Sequence, residues 1–230
     1  MNKLYHPPLP APGELFGLLS FWPDYQALSA DSPHVDRICV DRLLLIRERL
    51  VDLGVVDGSV LDLGGGTGYF SWALYVVNAS AVDLVEDERA RTAGYGDESF
   101  TKEIKSRIAE LDLQSLVVHD QSIEAFLEQH AGSRRWDVTL CLSVLHHFVT
   151  GYGDNPDIGR RKYSEVRALF RRIGQVTGRC AYIELDDERV GDLEGFLDDF
   201  MTEGRFSSRS VIGISHSSIG VPRNLVEFLK

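Results

Sequence analysis

The sequence predicts an α/β fold in which helices cover both faces of a mostly parallel, seven-stranded sheet. Short apolar runs typical of buried strands alternate with helix-like segments from residue 59 to residue 201. Such repeated strand–helix units imply parallel strands with right-handed crossovers. After residue 209 two further strand-like runs are joined by a turn that contains Gly220 and Pro222, which indicates a C-terminal antiparallel hairpin.

Each predicted strand is a short apolar run with turn-forming residues nearby. The seven runs are Ser59–Leu63, Ala81–Glu86, 116–119, 137–142, 180–185, 210–214 and 224–229. In the predicted helices, apolar residues recur at spacings of three and four. The helical segments are 33–53, Tyr69–Val77, 100–111, Ile123–His130, Tyr163–Val176 and 193–201. Gly54 would end the first of these helices.

Length and composition narrow the class of protein. The 230 residues suit one α/β domain with an additional segment, and 43% hydrophobic residues allow a sizeable core. No apolar run approaches the roughly 20 residues that cross a bilayer. The first twelve residues lack the apolar stretch of a secretory signal. We therefore expect a cytoplasmic protein with no membrane span.

Charge and cysteine content add two further expectations. The formal net charge of -11 would repel phosphate backbones, so we expect no nucleic-acid partner. The three cysteines, Cys39, Cys141 and Cys180, are widely spaced and form no metal-binding pair. We expect three reduced, buried thiols.

The most informative segment is a glycine loop between the first strand and the following helix. It reads Val60-Leu61-Asp62-Leu63-Gly64-Gly65-Gly66-Thr67-Gly68-Tyr69-Phe70. Glycines let the backbone turn tightly and let a ligand lie against bare peptide groups. The loop could also be a plain tight turn or a generic nucleotide-binding loop.

Two details of the loop distinguish between cofactors. The dinucleotide pattern G-x-G-x-x-G requires a third small residue where this chain has Tyr69. Asp62, two residues before Gly64, would repel a pyrophosphate but attract the ammonium group of a methionine moiety. The run resembles motif I of class I, Rossmann-like, S-adenosylmethionine-dependent methyltransferases. The resemblance implies S-adenosylmethionine as cofactor, bound by Asp62, Gly64, Gly65, Gly66 and Gly68.

An acid at the end of the second strand is expected to hold the cofactor's ribose. Glu86 ends the apolar run 81–86, and a carboxylate there can accept hydrogen bonds from both ribose hydroxyls. Asp83 lies near the expected spacing and is the alternative. Asp83 could instead be a solvated carboxylate at the strand edge that binds no cofactor.

The end of the third strand carries the residues expected to contact adenine. In the family an Asp at this place accepts from the adenine amino group, and Asp120 matches it. Asp120 could also cap the following helix. The resemblance adds Gln121, Ser122 and, after the fourth strand, Ser143 to the predicted cofactor contacts.

The fourth strand leads into Ser143-Val144-Leu145-His146-His147-Phe148. This run resembles the motif IV region, where the family places residues beside the reacting methyl group. A hydroxyl acceptor must lose its proton, and a neutral histidine can take that proton near pH 7. Adjacent histidines point in different directions, so we expect one of the pair to be catalytic and favour His147 over His146. The pair could instead only pack the strand end.

Acidic residues end the fifth strand, next to the fourth in this fold. Glu184 is predicted to orient the catalytic imidazole or to bind a sugar hydroxyl. Mg²⁺ is a further possible cofactor, since oxygen ligands suit it, with His147, Glu184 and Asp186 as candidate ligands. The competing interpretation is a solvated acidic turn.

The segment from residue 149 to residue 161 is a long, glycine-containing loop at this edge, where loops usually select the acceptor. A basic cluster follows: Arg160, Arg161, Lys162, Arg167, Arg171 and Arg172. We expect a solvated helix face, with recognition of an anionic acceptor as the alternative.

Taken together, the resemblance implies a methyltransferase with S-adenosylmethionine as methyl donor. The rim after the fourth strand and the run Val221-Pro222-Arg223-Asn224 look more specifically like bacterial methyltransferases of polysaccharide biosynthesis. The expected reaction is O-methylation of a sugar or of a polysaccharide or oligosaccharide end. Alternatives are N- or O-methylation of another small metabolite, and a non-catalytic S-adenosylmethionine-binding protein. Residues 54–230 are assigned to the methyltransferase domain, and residues 1–53 to an arm and helix that cover the acceptor site.

Overall fold

The structure, a computed structural model, describes residues 9–14, 38–89, 99–152, 159–185, 187–216 and 222–230. Its seven strands are β1 (Ser59–Leu63), β2 (Ala81–Glu86), β3 (Leu116–Asp120), β4 (Trp136–Leu142), β5 (Thr177–Glu184), β6 (Ser208–His216) and β7 (Pro222–Leu229). They form one sheet in the order β3-β2-β1-β4-β5-β7-β6. β1 to β5 are parallel, and β7 lies antiparallel between β5 and β6. The predicted fold class is confirmed.

The longer helices are α1 (Ile38–Asp52), α2 (Tyr69–Val77), α3 (Lys102–Glu110), α4 (Ile123–His130), α6 (Tyr163–Val176) and α8 (Leu193–Gly204). Two four-residue helices complete the set, α5 (His147–Thr150) and α7 (Asp187–Val190). The predicted bounds of α2, α4 and α6 agree with the structure. The predicted start of α1 at residue 33 lies outside the described residues.

β5 is the strand whose first residue differs most from the prediction. It begins at Thr177, directly after α6, although Thr177-Gly178-Arg179 reads as a turn. The buried Thr177 hydroxyl donates to the Ile173 carbonyl at 2.8 Å and ends the helix without a loop. Gly178 then allows close pairing with β4, because a Cβ there would lie 2.9 Å from the Trp136 carbonyl oxygen. That tertiary contact makes the glycine part of a strand.

Each face of the sheet carries its own core. Alternate residues of β1 belong to the two different cores. Leu61 and Leu63 face α4, α6 and α8. Val60 faces α1, α2 and α3. This alternation follows from the two-residue period of a strand. Asp62 therefore points to the same face as α2, and the glycine loop joins β1 to that helix.

Cys141 and Cys180 are buried and free, as expected for reduced thiols. Burial is the main cause that raises the pKa of the Cys180 thiol to about 12. Among the described residues, no helix combines the length and the apolar character that a membrane span requires.

Candidate functional site

The predicted site residues lie along the carboxyl edge of the parallel strands. β1 runs into the glycine loop, β2 ends at Glu86, β3 ends at Asp120, and β4 and β5 lead to Ser143 and Glu184. In open parallel sheets this edge is where ligands bind. The topology therefore gathers residues that are more than a hundred positions apart in the chain.

Three glycines of the loop have backbone conformations that L side chains avoid. Gly64, Gly66 and Gly68 have φ angles of 71°, 57° and 85°. A Cβ at Gly64 would lie 2.4 Å from Val144 Cγ2, so the loop packs directly on the residues after β4. At Gly66 a Cβ would have no neighbour within 4 Å. The side of the loop at Gly66 is thus open to a ligand.

Asp62 supports the loop from beneath. Its side chain is buried and accepts a hydrogen bond from Ser71 Oγ at 2.7 Å, in the first turn of α2. Burial raises the pKa of Asp62 to about 6, and the Ser71 hydrogen bonds and the Arg42 charge partly oppose this. The predicted contact of Asp62 with an ammonium group stays a prediction.

Glu86 is held against the open part of the loop. The Gly66 amide donates to Glu86 Oε2 at 2.9 Å, and the carboxylate is 5% exposed. Glu86 and Asp120 are direct partners in the β2–β3 register, so the two acids lie side by side. Asp120 Oδ1 also accepts from the Glu88 amide at 3.3 Å. The acids predicted for ribose and adenine therefore share one end of the cleft.

The alternative ribose ligand, Asp83, has a different set of partners. Its carboxylate accepts from Arg134 Nη2 at 2.7 Å and from Trp136 Nε1 at 2.8 Å, and it pairs with His119 at 2.7 Å. Burial works to raise the pKa of Asp83, but these hydrogen bonds and charges lower it on balance. Asp83 joins β2, β3 and β4, which favours Glu86 as the ribose ligand.

The cap of α4 is Ser122, since Ser122 Oγ accepts from the Ala125 amide at 3.2 Å. The capping role considered for Asp120 is therefore wrong, and its exposed carboxylate lies beside Glu86. Gln121 Oε1 accepts from the exposed Gln129 Nε2 at 3.4 Å. Cofactor contacts of Gln121 and Ser122 stay predictions.

Glu88 was not predicted from the sequence. Its carboxylate accepts from the Phe100 and Thr101 amides at 3.1 and 3.0 Å and from Ser99 Oγ at 2.8 Å. Although burial opposes the change, the hydrogen bond from the Thr101 hydroxyl, together with those from the Thr101 amide, Ser99 Oγ and the Phe100 amide, lowers the pKa of Glu88 to about 2. An ionised Glu88 ties the segment after β2 to the start of α3.

The β4–β5 end of this edge contains a buried ionic cluster around Glu184, which is 1% exposed. Glu184 accepts from Arg42 Nη1 at 3.0 Å and from Arg223 Nη1 at 3.1 Å. Ser143 Oγ donates to Glu184, and the Ser143 amide donates to the Glu184 carbonyl at 2.8 Å. Neither arginine was predicted from the sequence, because α1 and β7 reach this edge only through the tertiary fold.

This cluster changes the interpretation of Glu184. We expected its carboxylate to orient an imidazole, but its hydrogen bonds go to the two arginines and to Ser143. Among the described residues no group of three His, Cys, Asp or Glu side chains could hold a metal ion. Asp186, the third candidate Mg²⁺ ligand, lies outside the described residues. The cluster does not support a role of Glu184 as orienting carboxylate.

The two histidines are in contact but in different environments. His147 stacks on Tyr152 with ring centroids 4.2 Å apart, and its Nδ1 lies 3.1 Å from the Gly151 carbonyl oxygen. A carbonyl only accepts, so Nδ1 carries the hydrogen and Nε2 the lone pair. His146 is buried, and its Nδ1 has no hydrogen-bond partner. Burial, then the charges of His147, Arg223 and Arg189, lower the pKa of His146 to about 2.

Four of the six residues of the basic cluster are paired with acids of neighbouring helices. The ion pairs are Arg161–Glu124, Arg167–Glu203, Arg171–Glu203 and Arg172–Glu128, at 2.8, 2.6, 2.7 and 3.8 Å. The arginine side chains are 37 to 53% exposed. This arrangement supports the solvated helix face rather than an anion site.

The described part of the N-terminal arm packs against α2 and α3. Leu9 is buried against α2 and α3, and Trp72 Nε1 donates to the Pro10 carbonyl at 2.7 Å. Arg107 Nη2 donates to the Leu9 carbonyl at 2.8 Å. Trp22 and Tyr25, the aromatic residues considered for acceptor contact, lie outside the described residues.

Comparison with solved structures shows the same fold in S-adenosylmethionine-dependent methyltransferases. WbdD, a bifunctional kinase-methyltransferase, is 22% identical over 83% of this chain and 40% of its own, with a TM-score of 0.58. This chain therefore spans about two fifths of the WbdD chain. Magnesium protoporphyrin IX methyltransferase from Synechocystis PCC 6803, with bound SAM, is 14% identical and matches over 100% of both chains, with a TM-score of 0.59.

A putative RNA methyltransferase from Pyrococcus horikoshii is 15% identical over 84% of this chain and 82% of its own, with a TM-score of 0.55. No protein-family model matches the chain, and no curated protein sequence matches it. At these identities the likeness shows the fold.

Proposed function

We propose that the chain is an S-adenosylmethionine-dependent methyltransferase that methylates a hydroxyl of a sugar or of a polysaccharide or oligosaccharide end. The observation that carries the proposal is the bond from the Gly66 amide to Glu86, beside the open side of the loop and next to Asp120. It joins a glycine loop to an acid that can bind ribose, at the edge where parallel sheets bind ligands.

Three acids at this edge support the choice of S-adenosylmethionine as cofactor. Asp120 would accept from the adenine amino group, Glu86 from the ribose hydroxyls, and Asp62 would lie toward the ammonium group. When bound, the cofactor supplies a methyl group already activated on a sulfonium. The chain then has to orient the acceptor and remove its proton.

Proton removal is assigned to His147. Its Nδ1 hydrogen bond to Gly151 leaves the lone pair on Nε2, where a neutral imidazole accepts a proton. His146 is the weaker base, because a group whose pKa is lowered to about 2 holds a proton poorly near pH 7. His147 would thus accept the hydroxyl proton as the acceptor oxygen attacks the methyl group.

The cofactor half of the proposal is tested by calorimetry with S-adenosylhomocysteine, S-adenosylmethionine and NAD. We expect both S-adenosyl compounds to bind and NAD not to bind. Binding of NAD alone would refute the assignment.

The acceptor class is tested by a mass-shift screen with isotope-labelled S-adenosylmethionine. A sugar acceptor agrees with the sequence resemblance of the β4 rim, and WbdD shares the fold over 83% of this chain. Another small metabolite is the alternative, because the magnesium protoporphyrin IX methyltransferase aligns over its full length. A labelled sugar or oligosaccharide supports the sugar acceptor, and a labelled compound of another class supports the alternative metabolite. Cofactor binding with no product from any acceptor supports a non-catalytic binding protein.

A nucleic-acid acceptor is not part of the proposal. The net charge is -11, and the exposed arginines of α6 are paired with acids. Because one structure of this fold is a putative RNA methyltransferase, RNA and DNA oligonucleotides belong in the same screen. A labelled oligonucleotide would contradict the proposed acceptor class.

A further inference from the structure

Ser143 has an unusual backbone conformation for a residue with a side chain. Its φ is 57°, in the left-handed region that favours glycine. Such outliers persist where the surrounding structure holds them, and they are frequent at functional sites. At Ser143 the chain leaves β4 and turns toward the histidines.

The contacts of Ser143 explain why a serine occupies this position. Its Oγ donates to Glu184 and lies 3.4 Å from Arg42 Nη1 and 3.2 Å from Arg223 Nη1. Its amide donates to the Glu184 carbonyl at 2.8 Å. A glycine would adopt the same φ but would lose the hydroxyl contacts. Four elements, α1, β4, β5 and β7, therefore meet at this turn.

The turn at Ser143 determines where its neighbours lie. Val144, the next residue, packs under Gly64 of the glycine loop. The Val144 carbonyl accepts from the His147 amide at 3.1 Å, which begins α5. The conformation of Ser143 thus sets the position of His147 relative to the glycine loop.

Arg42 is the member of the cluster that comes from the N-terminal helix. Its side chain is 9% exposed, and its guanidinium lies 5.1 Å from the Phe70 ring centroid in the first turn of α2. One side chain thereby spans the start of α2 on the cofactor side and Ser143 and Glu184 on the acceptor side.

We propose that Arg42 is a positioning residue for methyl transfer, which through Ser143 and Glu184 holds the turn that carries His147. The proposal rests on the proposed function, in which His147 removes the acceptor proton. It assigns α1 to the catalytic unit, although α1 precedes the glycine loop and carries none of the predicted site residues.

The chain offers a matched control for this proposal. Arg49, on the same helix α1, pairs with the buried Glu227 of β7 at 3.0 Å. Glu227 also accepts from the Tyr182 hydroxyl at 3.0 Å. Among the described residues, Arg49 and Glu227 make no hydrogen bond or ion pair with Ser143 or the histidines. Arg42→Met and Arg49→Met each remove one guanidinium from a buried carboxylate, but only the first lies at the Ser143 turn.

The first readout does not require an acceptor. In full-length protein labelled with ¹⁵N-histidine, the NMR signals of His147 report the tautomer and the pH at which the ring gains a proton. We expect the Nδ1–H tautomer in the parent chain and in Arg49→Met, and mixed tautomers or a shifted titration in Arg42→Met. Arg42→Lys, which keeps a cation, should return the parent spectrum.

The second readout is kinetic, with the acceptor found by mass shift. A misplaced base should lower kcat by about 10²-fold in Arg42→Met, because catalysis is sensitive to errors of about 1 Å. We expect the KM for the acceptor to change less than kcat. Ser143→Ala, which removes one hydroxyl, should also lower kcat. This variant replaces Arg42→Met in the test if Arg42→Met does not fold.

Two outcomes separate this proposal from the proposed function. If Arg42→Met and Ser143→Ala keep the parent His147 spectrum and kcat, Arg42 is only structural and the inference is overturned. If the parent chain binds neither S-adenosylhomocysteine nor S-adenosylmethionine, the proposed function fails. The His147 spectra still show in that case whether Arg42 holds the turn.

Discussion

At the residue scale, similar side chains have different roles because their surroundings differ. Glu86 and Asp83 lie three residues apart on β2, yet one contacts the glycine loop and the other joins three strands. His146 and His147 are adjacent, yet only His147 has a backbone carbonyl that fixes its tautomer. The sequence pattern identifies both residues of such a pair as candidates, and only the contacts of each side chain in the structure distinguish their roles.

Glu86→Ala should weaken S-adenosylhomocysteine binding. Each hydrogen bond lost from a charged acceptor costs about 1.5–3 kcal/mol, so two ribose bonds correspond to roughly 10²-fold or more in Kd. Asp83→Ala is the comparison, and it should lower the melting temperature while cofactor affinity stays close to that of the parent chain. Calorimetry and thermal melting of both variants are the measurements, and the reverse pattern would identify Asp83 as the ribose ligand.

Cofactor affinity should depend on pH through Asp62. Its pKa is raised by burial to about 6, so the carboxylate gains a proton as pH falls through that value. A neutral Asp62 no longer attracts the ammonium group, and affinity should then fall by up to about tenfold per pH unit. Titrations from pH 5 to pH 8 test this, with Asp62→Asn as the variant that should lose the dependence. An unchanged pH profile in Asp62→Asn would exclude Asp62 as the titrating group.

Protonation of Asp62 also affects the stability of the fold, and this effect has the opposite dependence on pH from the cofactor affinity. Because the folded pKa of Asp62 lies above that of an unfolded Asp, near 3.9, the folded chain binds the extra proton between about pH 4 and pH 6. The contribution of Asp62 to stability therefore decreases as pH rises through that window.

Replacement of His147 by Gln should slow the chemical step by roughly 10²–10⁴-fold while cofactor affinity is retained, because only the neutral imidazole accepts a proton. In the parent chain the rate should rise with pH as the His147 ring loses its proton. His146→Gln is the control and should keep most of the turnover, since His146 is already neutral. Single-turnover rates across pH measure both effects, and full activity of His147→Gln would leave positioning as the source of catalysis.

At the element scale, some predicted bounds match the structure, whereas β6, β7 and α8 are each longer than predicted by two to four residues. α2, α4 and α6 were predicted correctly because their apolar periodicity is uninterrupted. The start of β5 was missed, because Gly178 belongs to a strand through its close approach to the Trp136 backbone. The cap of α4 was likewise decided by geometry, which places Ser122 rather than Asp120 beside the Ala125 amide.

The glycine loop yields a prediction at this scale. Gly64→Ala should be strongly destabilising, because the left-handed φ of 71° is combined with a Cβ only 2.4 Å from Val144 Cγ2. We expect a loss of about 1–3 kcal/mol or more from overpacking and strain together. Gly132→Ala is the control: its φ of 83° carries the same strain, but no atom lies within 4 Å of its Cβ. Denaturant unfolding should show a smaller loss for Gly132→Ala.

At the scale of the whole molecule, the arm and α1 belong to the same core as α2, the helix that follows the glycine loop. Leu9 shares a cluster with Trp72 and Ile104, and α1 contributes Leu43, Ile46 and Leu50 to it. Arg42 extends this connection to the β4 edge. The division at residue 53 between an arm and a methyltransferase domain therefore separates parts that pack together in the described structure.

Deletion of residues 1–20 should consequently lower the melting temperature. It removes the buried Leu9, worth about 1.5–3 kcal/mol, and the Pro10 carbonyl that accepts from Trp72, worth about 0.5–1.5 kcal/mol. For a chain of this size we expect a decrease of about 10 °C. Differential scanning calorimetry is the measurement, with Leu9→Ala as a smaller lesion at the same place. A truncated chain that melts like its parent would favour an arm that only covers the acceptor site.

Local patterns in the sequence predicted the fold class, which the structure confirms, and the residues that we propose to bind the cofactor. Strand periodicity, the glycine spacing from Gly64 to Gly68 and the acids at the ends of β1, β2 and β3 lie within short segments of chain. Only the folded chain brings together Arg42, Ser143, Glu184 and Arg223, which come from four separate parts of the sequence. The physical reason is that buried charges must be paired, and their partners are chosen by the packing of distant elements rather than by their neighbours in sequence.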